Sequence, residues 1–213
     1  MPTREELDSP PQPHIRRLQE VPKLAAGAAV LVITARIAAH GVPDWEVTLF
    51  EKLNRIDGRI EPVLWAPMQL GSLFGPPFVA MGSWIAWKKW RPTAGALVVG
   101  IGAWQSAKIV KNVIQRPRPG DYLTEIVRRS GTPSDGLGFI SGHSAVAFAL
   151  AAIVSPYLCR RDRVLAYTLA GLVAFARIHV GAHFPLDTVG GAGLGICLAY
   201  GYHLVVGVPI EGN

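Results

Sequence analysis

The sequence has few charged residues and almost no cysteine. Only 17% of its 213 residues are Asp, Glu, Lys or Arg, whereas a soluble domain usually carries about 25%. Cys159 lies at the end of an apolar run and Cys197 lies inside another, neither at metal-ligand spacing from a histidine. The sequence therefore excludes a disulfide-stapled fold and a cysteine-based zinc site.

The charged residues are also clustered, so that long uncharged runs separate them. Half of the chain is hydrophobic and the mean hydropathy is +0.29, which is typical of a polytopic membrane protein. The net charge of +6 does not predict nucleic-acid binding, because the basic residues lie at the ends of apolar runs and form no continuous basic face. We expect the bilayer as partner, and the sequence leaves the oligomeric state open.

Six apolar segments predict an all-α fold, a bundle of six transmembrane helices. These spans cover about residues 24–39, 62–87, 93–113, 143–158, 164–178 and 186–206. Between the first two, Trp45, Leu49, Phe50 and Leu53 follow helical spacing with charges between them, which predicts a short helix lying in the membrane interface. The glycines of "GGAGLG" in the last span predict close helix packing.

The ends of the chain predict its orientation. Residues 1–22 are polar and proline-rich without the apolar stretch of a signal peptide, so we interpret them as a cytoplasmic tail before a membrane domain at 23–208. The basic clusters "IRR", "KKWR" and "CRRDR" fall on one side of a six-span layout, and the positive-inside rule makes that side cytoplasmic. Both termini are then cytoplasmic.

Three polar clusters lie at the ends of different predicted spans, on the outer side. They are "KNVIQRPRP" with Lys111 and Arg118, "FISGHSA" with Ser141, Gly142 and His143, and "RIHVGAHFPLD" with Arg177, His183 and Asp187. Polar groups within membrane segments are costly and are functional candidates by default. Pro117 disfavours the helical conformation at the residue before it, which places Arg118 in the loop beyond the helix end.

The residue types suit the transfer of a phosphoryl group. Lys111, Arg118 and Arg177 match the charge of a phosphate, and the arginines can bind it through two hydrogen bonds each. If Ser141 caps the fourth span, the amides of the two residues after it form an anion site at a helix start. Asp187, four residues after His183, can hold the imidazole in one tautomer and leave its other nitrogen free to attack.

The pattern Lys-x6-Arg-Pro, then Ser-Gly-His, then Arg-x5-His-x3-Asp resembles the type 2 phosphatidic acid phosphatase (PAP2) superfamily over residues 111–187. Ile140 and Ala176 depart from that pattern, where the family usually has proline and often serine. The resemblance implies that His183 is the nucleophile, oriented by Asp187, and that His143 is the general acid. It implies phosphoryl-binding roles for Lys111, Arg118, Ser141, Gly142 and Arg177, with no metal and no cofactor.

The resemblance further implies a lipid phosphatase of the bacterial inner membrane, with its site on the extracytoplasmic side. Undecaprenyl diphosphate is the first expected substrate, and phosphatidylglycerol phosphate, phosphatidic acid and a polyprenyl-linked phosphosugar stay open. A non-catalytic lipid-phosphate binder or transporter is the alternative, although mere binding needs only the cations. The related haloperoxidases are soluble and fit these apolar segments poorly.

Other polar residues near the motifs receive plainer interpretations. Lys108, Arg116, Arg128 and Arg129 are interpreted as interfacial anchors, since lysine and arginine at membrane edges usually serve this role. His179 is left undecided between substrate contact and the interface. The long polar segment 116–139 receives no specific function.

Overall fold

The computed structural model describes residues 18–133 and 135–209, so most of the predicted tail lies outside the described residues. The α-helices, in chain order, are α1 (Glu20–Ala38), α2 (Asp44–Asn54), α3 (Glu61–Gln69), α4 (Gly75–Trp87), α5 (Trp90–Ile114), α6 (Pro119–Tyr122), α7 (Gly142–Val154), α8 (Arg160–His179) and α9 (Pro185–Val206). Short 3-10 turns lie at Gly58–Ile60 and Ser155–Tyr157. The predicted all-α fold is confirmed for the described residues.

Three helical segments in the described ranges are long and apolar enough to cross a membrane. They are Glu20–Ala38, Trp90–Tyr122 and Pro185–Val206, whereas Gly142–Tyr157 is apolar but shorter. The first, third and sixth predicted spans are thus confirmed as helices of spanning length. The total of six spans stays a prediction.

The second predicted span is wrong as a continuous helix. The chain forms α3 and α4 with a break at residues 70–74 between them. Pro76 and Pro77 stand in the first turn of α4, where their missing N–H groups are tolerated. Farther inside a helix each ring would clash with the carbonyl four residues earlier, so the proline pair forces a new helix to begin.

Glycines let α9 lie unusually close to two neighbouring helices. A Cβ added at Gly195 would lie 2.2 Å from the carbonyl oxygen of Ala145 in α7. On the opposite side, a Cβ at Gly27 of α1 would lie 2.8 Å from the backbone nitrogen of Cys197. These distances confirm the close packing predicted from "GGAGLG", and they show that α9 lies directly against both α7 and α1.

The helix predicted between the first two spans is present as α2, but part of it is buried. Trp45 and Leu49 are exposed, whereas Glu46 and Phe50 are fully buried. The Phe50 ring packs edge-on against Phe184, with ring centroids 5.2 Å apart. One face of α2 therefore packs on the loop that carries the candidate nucleophile, and its place in a membrane interface stays a prediction.

The long polar segment is tied to α2 and α8 by side chains that bind backbone groups. Asn54 donates from Nδ2 to the carbonyls of Val127 and His179, both at 2.9 Å, and accepts from the Val127 N–H at 2.9 Å. Arg129 donates to the carbonyls of Asn54, Ile56 and His179. The interpretation of Arg129 as an interfacial anchor is therefore wrong, because its guanidinium fastens this segment to the helices.

Candidate active site

The loop from α8 to α9 places His183 beside Asp187. Pro185 begins α9, and the Phe184 N–H donates to Asp187 Oδ2 at 2.9 Å. The same Oδ2 lies 3.4 Å from His183 Nδ1, and both side chains are buried. Nδ1 has no aligned hydrogen-bond partner among the described residues, so the carboxylate faces this nitrogen electrostatically. Asp187 does not contact the second ring nitrogen, Nε2.

Charges from several chain segments converge on His183. Burial, and then the cations Lys111, Arg177 and Arg118, hold the pKa of the His183 imidazole well below its ordinary value. Each of these effects disfavours the charged form of a histidine. The imidazole is therefore neutral at neutral pH, which is the nucleophilic form, and it faces an electropositive environment suited to a phosphate.

Backbone carbonyls orient two of these cations. Lys111, in the last turn of α5, donates from Nζ to Leu137 O at 2.7 Å and Gly138 O at 2.9 Å. Arg118 lies beyond the end of α5, as predicted, and donates from Nη1 to Ala182 O at 2.9 Å. Because a carbonyl carries no net charge, these contacts fix the side chains without neutralising them.

Arg177 is placed in the same way, in the last turn of α8. Its Nη1 donates to Gly131 O at 2.9 Å and lies 3.4 Å from the Met68 sulfur. Its guanidinium is almost fully buried, and Nε has no hydrogen-bond partner in the described part of the chain. A buried cation without a carboxylate on it is costly, and an anionic substrate would supply the missing partner.

Ser141 caps the N-terminus of α7. Its Oγ accepts from the Ser144 N–H at 3.4 Å, and its own N–H donates to Asp187 O at 2.8 Å. Gly142 and His143 are the first two residues of the helix, and both are partly exposed. The N-terminal amides of α7 thus lie next to the turn that carries Asp187, in the orientation that favours anion binding.

Arg116 and Glu46 are the residues that sequence reasoning missed. Arg116 is not an interfacial anchor: its side chain is 1% exposed, and Nη1 donates to Asp187 Oδ1 at 2.8 Å. Glu46, whose side chain is fully buried, pairs with the same guanidinium. The sequence does contain one indication that Glu46 is buried. Glu46 lies four residues before Phe50 and seven before Leu53, which places it on the apolar face of α2.

The remaining polar residues lie apart from this cluster. His179, left undecided from the sequence, is buried with its ring stacked on Phe175, and its Nδ1 is 3.3 Å from Leu53 O. It belongs to the contact between α2 and α8. Lys108 lies over the Trp104 ring at 3.4 Å from its centroid.

The motif residues lie in a part of the chain that matches a known protein family. The sequence model of the PAP2 superfamily matches residues 90–209, which is more than half of the chain. The chain belongs to the PAP2 superfamily, as the sequence motifs predicted.

Individual relatives can be named within this family. Over 103 residues the chain is 28% identical to Phosphatidylglycerophosphatase B of Bacillus subtilis (strain 168), a stretch that covers 44% of this chain and 47% of that protein. The chain therefore matches about half the length of this curated relative.

Two solved structures share the fold, each with a TM-score of 0.63. One is LpxE of Aquifex aeolicus, at 24% identity over 73% of this chain and 93% of that one. The other is a transmembrane PAP2-type phosphatidylglycerolphosphate phosphatase from Bacillus subtilis, at 20% identity over 83% of this chain and 94% of that one. At these identities the likeness concerns the fold.

Proposed function

We propose that this chain is a membrane lipid phosphatase that hydrolyses a lipid-linked phosphate or diphosphate through a phosphohistidine, without a metal ion. The observation that best supports this proposal is the position of His183. Its Nδ1 lies 3.4 Å from Asp187 Oδ2, and cations from three separate chain segments act on its imidazole. Cations alone would serve to bind a phosphate. A neutral imidazole backed by a carboxylate adds a nucleophile, and this favours catalysis over binding.

In the first step, His183 Nε2 attacks the phosphorus atom of the bound substrate. The N–P bond forms as the bond from phosphorus to the leaving oxygen breaks, and the bonding pair stays on that oxygen. His143, which takes up a proton when the phosphate dianion binds beside it, gives that proton to this oxygen. The leaving group is the lipid alcohol of a monoester or the lipid monophosphate of a diphosphate.

In the second step, water attacks the phosphohistidine. His143, now neutral, accepts a proton from the water as the O–P bond forms and the N–P bond breaks. Inorganic phosphate leaves, and both histidines return to their starting states. Asp187 keeps the Nδ1 side of His183 next to a negative charge in both steps, which stabilises the positive charge on the phosphorylated ring.

The cations and the α7 amides act on the transferring group. Charge in a phosphoryl-transfer transition state is spread over the equatorial oxygens, so catalysis depends mainly on positioning and electrostatic stabilisation. Lys111, Arg118 and Arg177 would hold these oxygens, together with the amides after Ser141. Because carbonyl contacts already orient Lys111 and Arg118, little reorganisation is needed when substrate arrives.

The substrate is proposed as a lipid because the site lies at the ends of apolar helices, on the side of the helices proposed to face away from the cytoplasm. One relative and one structural neighbour are named as phosphatases of phosphatidylglycerol phosphate, which supports testing this lipid first, together with undecaprenyl diphosphate. Both offer a dianionic terminal phosphate to the same three cations. They differ in the leaving group and in the lipid chain.

The test is phosphate release by detergent-purified full-length protein in EDTA. Undecaprenyl diphosphate, phosphatidylglycerol phosphate and phosphatidic acid are offered side by side to the wild type, to His183→Ala and to His40→Ala as a matched control. His40 is an exposed histidine. We expect release from at least one lipid, lost only in His183→Ala, and an acid-labile phosphoenzyme in the wild type.

Other results would contradict the proposal. Unchanged release by His183→Ala would remove the nucleophile assignment. Binding of the lipids with no release by the wild type would favour a lipid-phosphate binder or transporter. Activity lost in EDTA and restored by a divalent cation would contradict the metal-free mechanism.

A further inference from the structure

Behind the candidate nucleophile, a buried arginine joins two carboxylates from distant parts of the chain. We propose that Arg116 and Glu46 form a positioning pair that holds Asp187, and through it His183, in the reactive orientation. The proposal rests on the proposed function for its kinetic consequences. Its geometric part concerns the orientation of the imidazole and can be measured without turnover.

Arg116 makes contacts that leave its guanidinium no room for a substrate. Nη1 donates to Asp187 Oδ1 at 2.8 Å and to Glu46 Oε1 at 3.3 Å. Nη2 donates to Glu46 Oε2 and to Gly41 O at 3.1 Å. With a side chain that is 1% exposed, Arg116 differs in role from Arg118, two residues later, whose contacts are backbone carbonyls.

The contacts of Asp187 divide its two oxygens between separate partners. Oδ1 accepts from Arg116, while Oδ2 accepts from the Phe184 N–H at 2.9 Å and faces His183 Nδ1 at 3.4 Å. Rotation of the carboxylate would break the Arg116 contact and the Phe184 contact together. Arg116, together with the Phe184 N–H, therefore determines which oxygen faces the imidazole.

Glu46 supports this arrangement in two ways. Its Oε1 also accepts from the Leu186 N–H at 2.7 Å, so α2 is bound to the same helical turn that carries Asp187. Its negative charge also balances Arg116 independently of Asp187. One cation and two carboxylates leave one net negative charge, so Asp187 remains able to stabilise positive charge on His183.

The kinetic experiment compares Arg116→Met with Arg118→Met in the full-length protein. It measures kcat and KM on the preferred lipid and the Ki of inorganic phosphate as a competitive inhibitor. We expect Arg116→Met to lower kcat by about 100-fold, because a reacting group displaced by about 1 Å costs this much, with KM and Ki nearly unchanged. Arg118→Met should raise Ki. Arg116→Lys should recover part of kcat, since an ammonium can still pair with Asp187.

Two results would overturn the kinetic part of the proposal. One is a wild-type kcat in Arg116→Met. The other is a rise in Ki equal to that of Arg118→Met, which would make Arg116 a phosphate ligand.

Arg116→Met leaves two buried carboxylates without their cation, which by itself lowers the stability of the protein. A second variant therefore separates the effect on positioning from the effect on stability. Glu46→Gln/Arg116→Met removes one charge of each sign, and we expect it to recover thermal stability while kcat stays low. Recovery of kcat together with stability would assign the pair a structural role only and would overturn the proposal.

A spectroscopic measurement separates this proposal from the proposed function. In protein labelled with ¹⁵N-histidine, the His183 resonances, assigned with His183→Gln, should show a proton on Nδ1 in the wild type. A mixture of tautomers is expected in Arg116→Met. If the wild type releases no phosphate but the tautomer depends on Arg116, the proposed function fails and the positioning pair stands. An unchanged tautomer would overturn the pair whatever the activity.

Discussion

A single added methyl group at Gly195 tests whether the contact between α7 and α9 holds the site together. In Gly195→Ala the new Cβ would lie 2.2 Å from Ala145 O, whereas ordinary van der Waals contact begins at 3.4 Å. The two helices must therefore separate by about 1 Å. Ala145 lies two residues after His143 on α7, and Gly195 lies on the helix that carries Asp187, so the separation moves the two halves of the site apart.

The magnitude follows from two opposing effects. Overpacking costs about 1–3 kcal/mol, and contact with a backbone oxygen, which cannot turn away, favours the upper end of that range. Alanine in place of glycine in a helix offsets about 1 kcal/mol. A net loss of about 2 kcal/mol corresponds to a fall in Tm of about 4–8 °C for a chain of this size. Displacement of a catalytic group by about 1 Å should lower kcat by about 100-fold.

The assay is thermal unfolding in detergent together with phosphate release, and the matched control is Gly102→Ala. Gly102 is also helical, in α5, but a Cβ there would meet no heavy atom within 4 Å. The control should gain up to about 1 kcal/mol of stability and keep wild-type kcat. If the two variants shift Tm in the same direction and both keep kcat, the reasoning on close packing is refuted.

Three further predictions concern the site and its support. His143→Ala should lower kcat on a lipid phosphate by about 10²–10⁴-fold, and by less on p-nitrophenyl phosphate, whose leaving oxygen needs no proton; equal losses would contradict the general-acid role. Because the pKa of His183 lies well below its ordinary value of 6.5, kcat/KM should fall on the acid side only below pH 6.5. The unfolded chain binds a proton at this histidine more readily than the folded chain does. Tm should therefore decline as the pH falls below 6.5, and it should decline less in His183→Gln. Asn54→Ala removes the Asn54 partner of the Val127 N–H and of the Val127 carbonyl, while Arg129 still binds the His179 carbonyl. The loss should cost about 2 kcal/mol, seen as faster proteolysis in residues 123–133; unchanged proteolysis would contradict this role.

The motifs could be found without a structure because phosphoryl transfer requires particular residue types. The three motifs supply a histidine, a carboxylate four residues after it and three cations, and the family match to residues 90–209 agrees with them. Helix ends were also predictable where a local signal exists, as with Ser141 before α7 and Pro185 at the start of α9. Hydropathy alone does not predict the break before α4, because residues on both sides of it are apolar and the Pro76–Pro77 pair sets where the new helix begins.

Arg116 shows what the sequence could not provide. A single arginine near a proline looks the same whether it faces lipid headgroups or a buried carboxylate. Its partner Glu46 is 70 residues away in the chain, and only the docking of α2 onto the start of α9 brings them together. The same holds for Arg129, which binds carbonyls of residues 54, 56 and 179.

By itself, then, the sequence determined the helical class, the family and the motif residues proposed for the candidate site, because these depend on local hydropathy and on the identity of side chains. The tertiary structure alone decided which polar residues are buried together, and which oxygen of Asp187 faces His183. The physical reason is that burial and ion pairing depend on how distant segments pack. In this chain that packing is set by the glycine contacts of α9 with α1 and α7 and by the docking of α2.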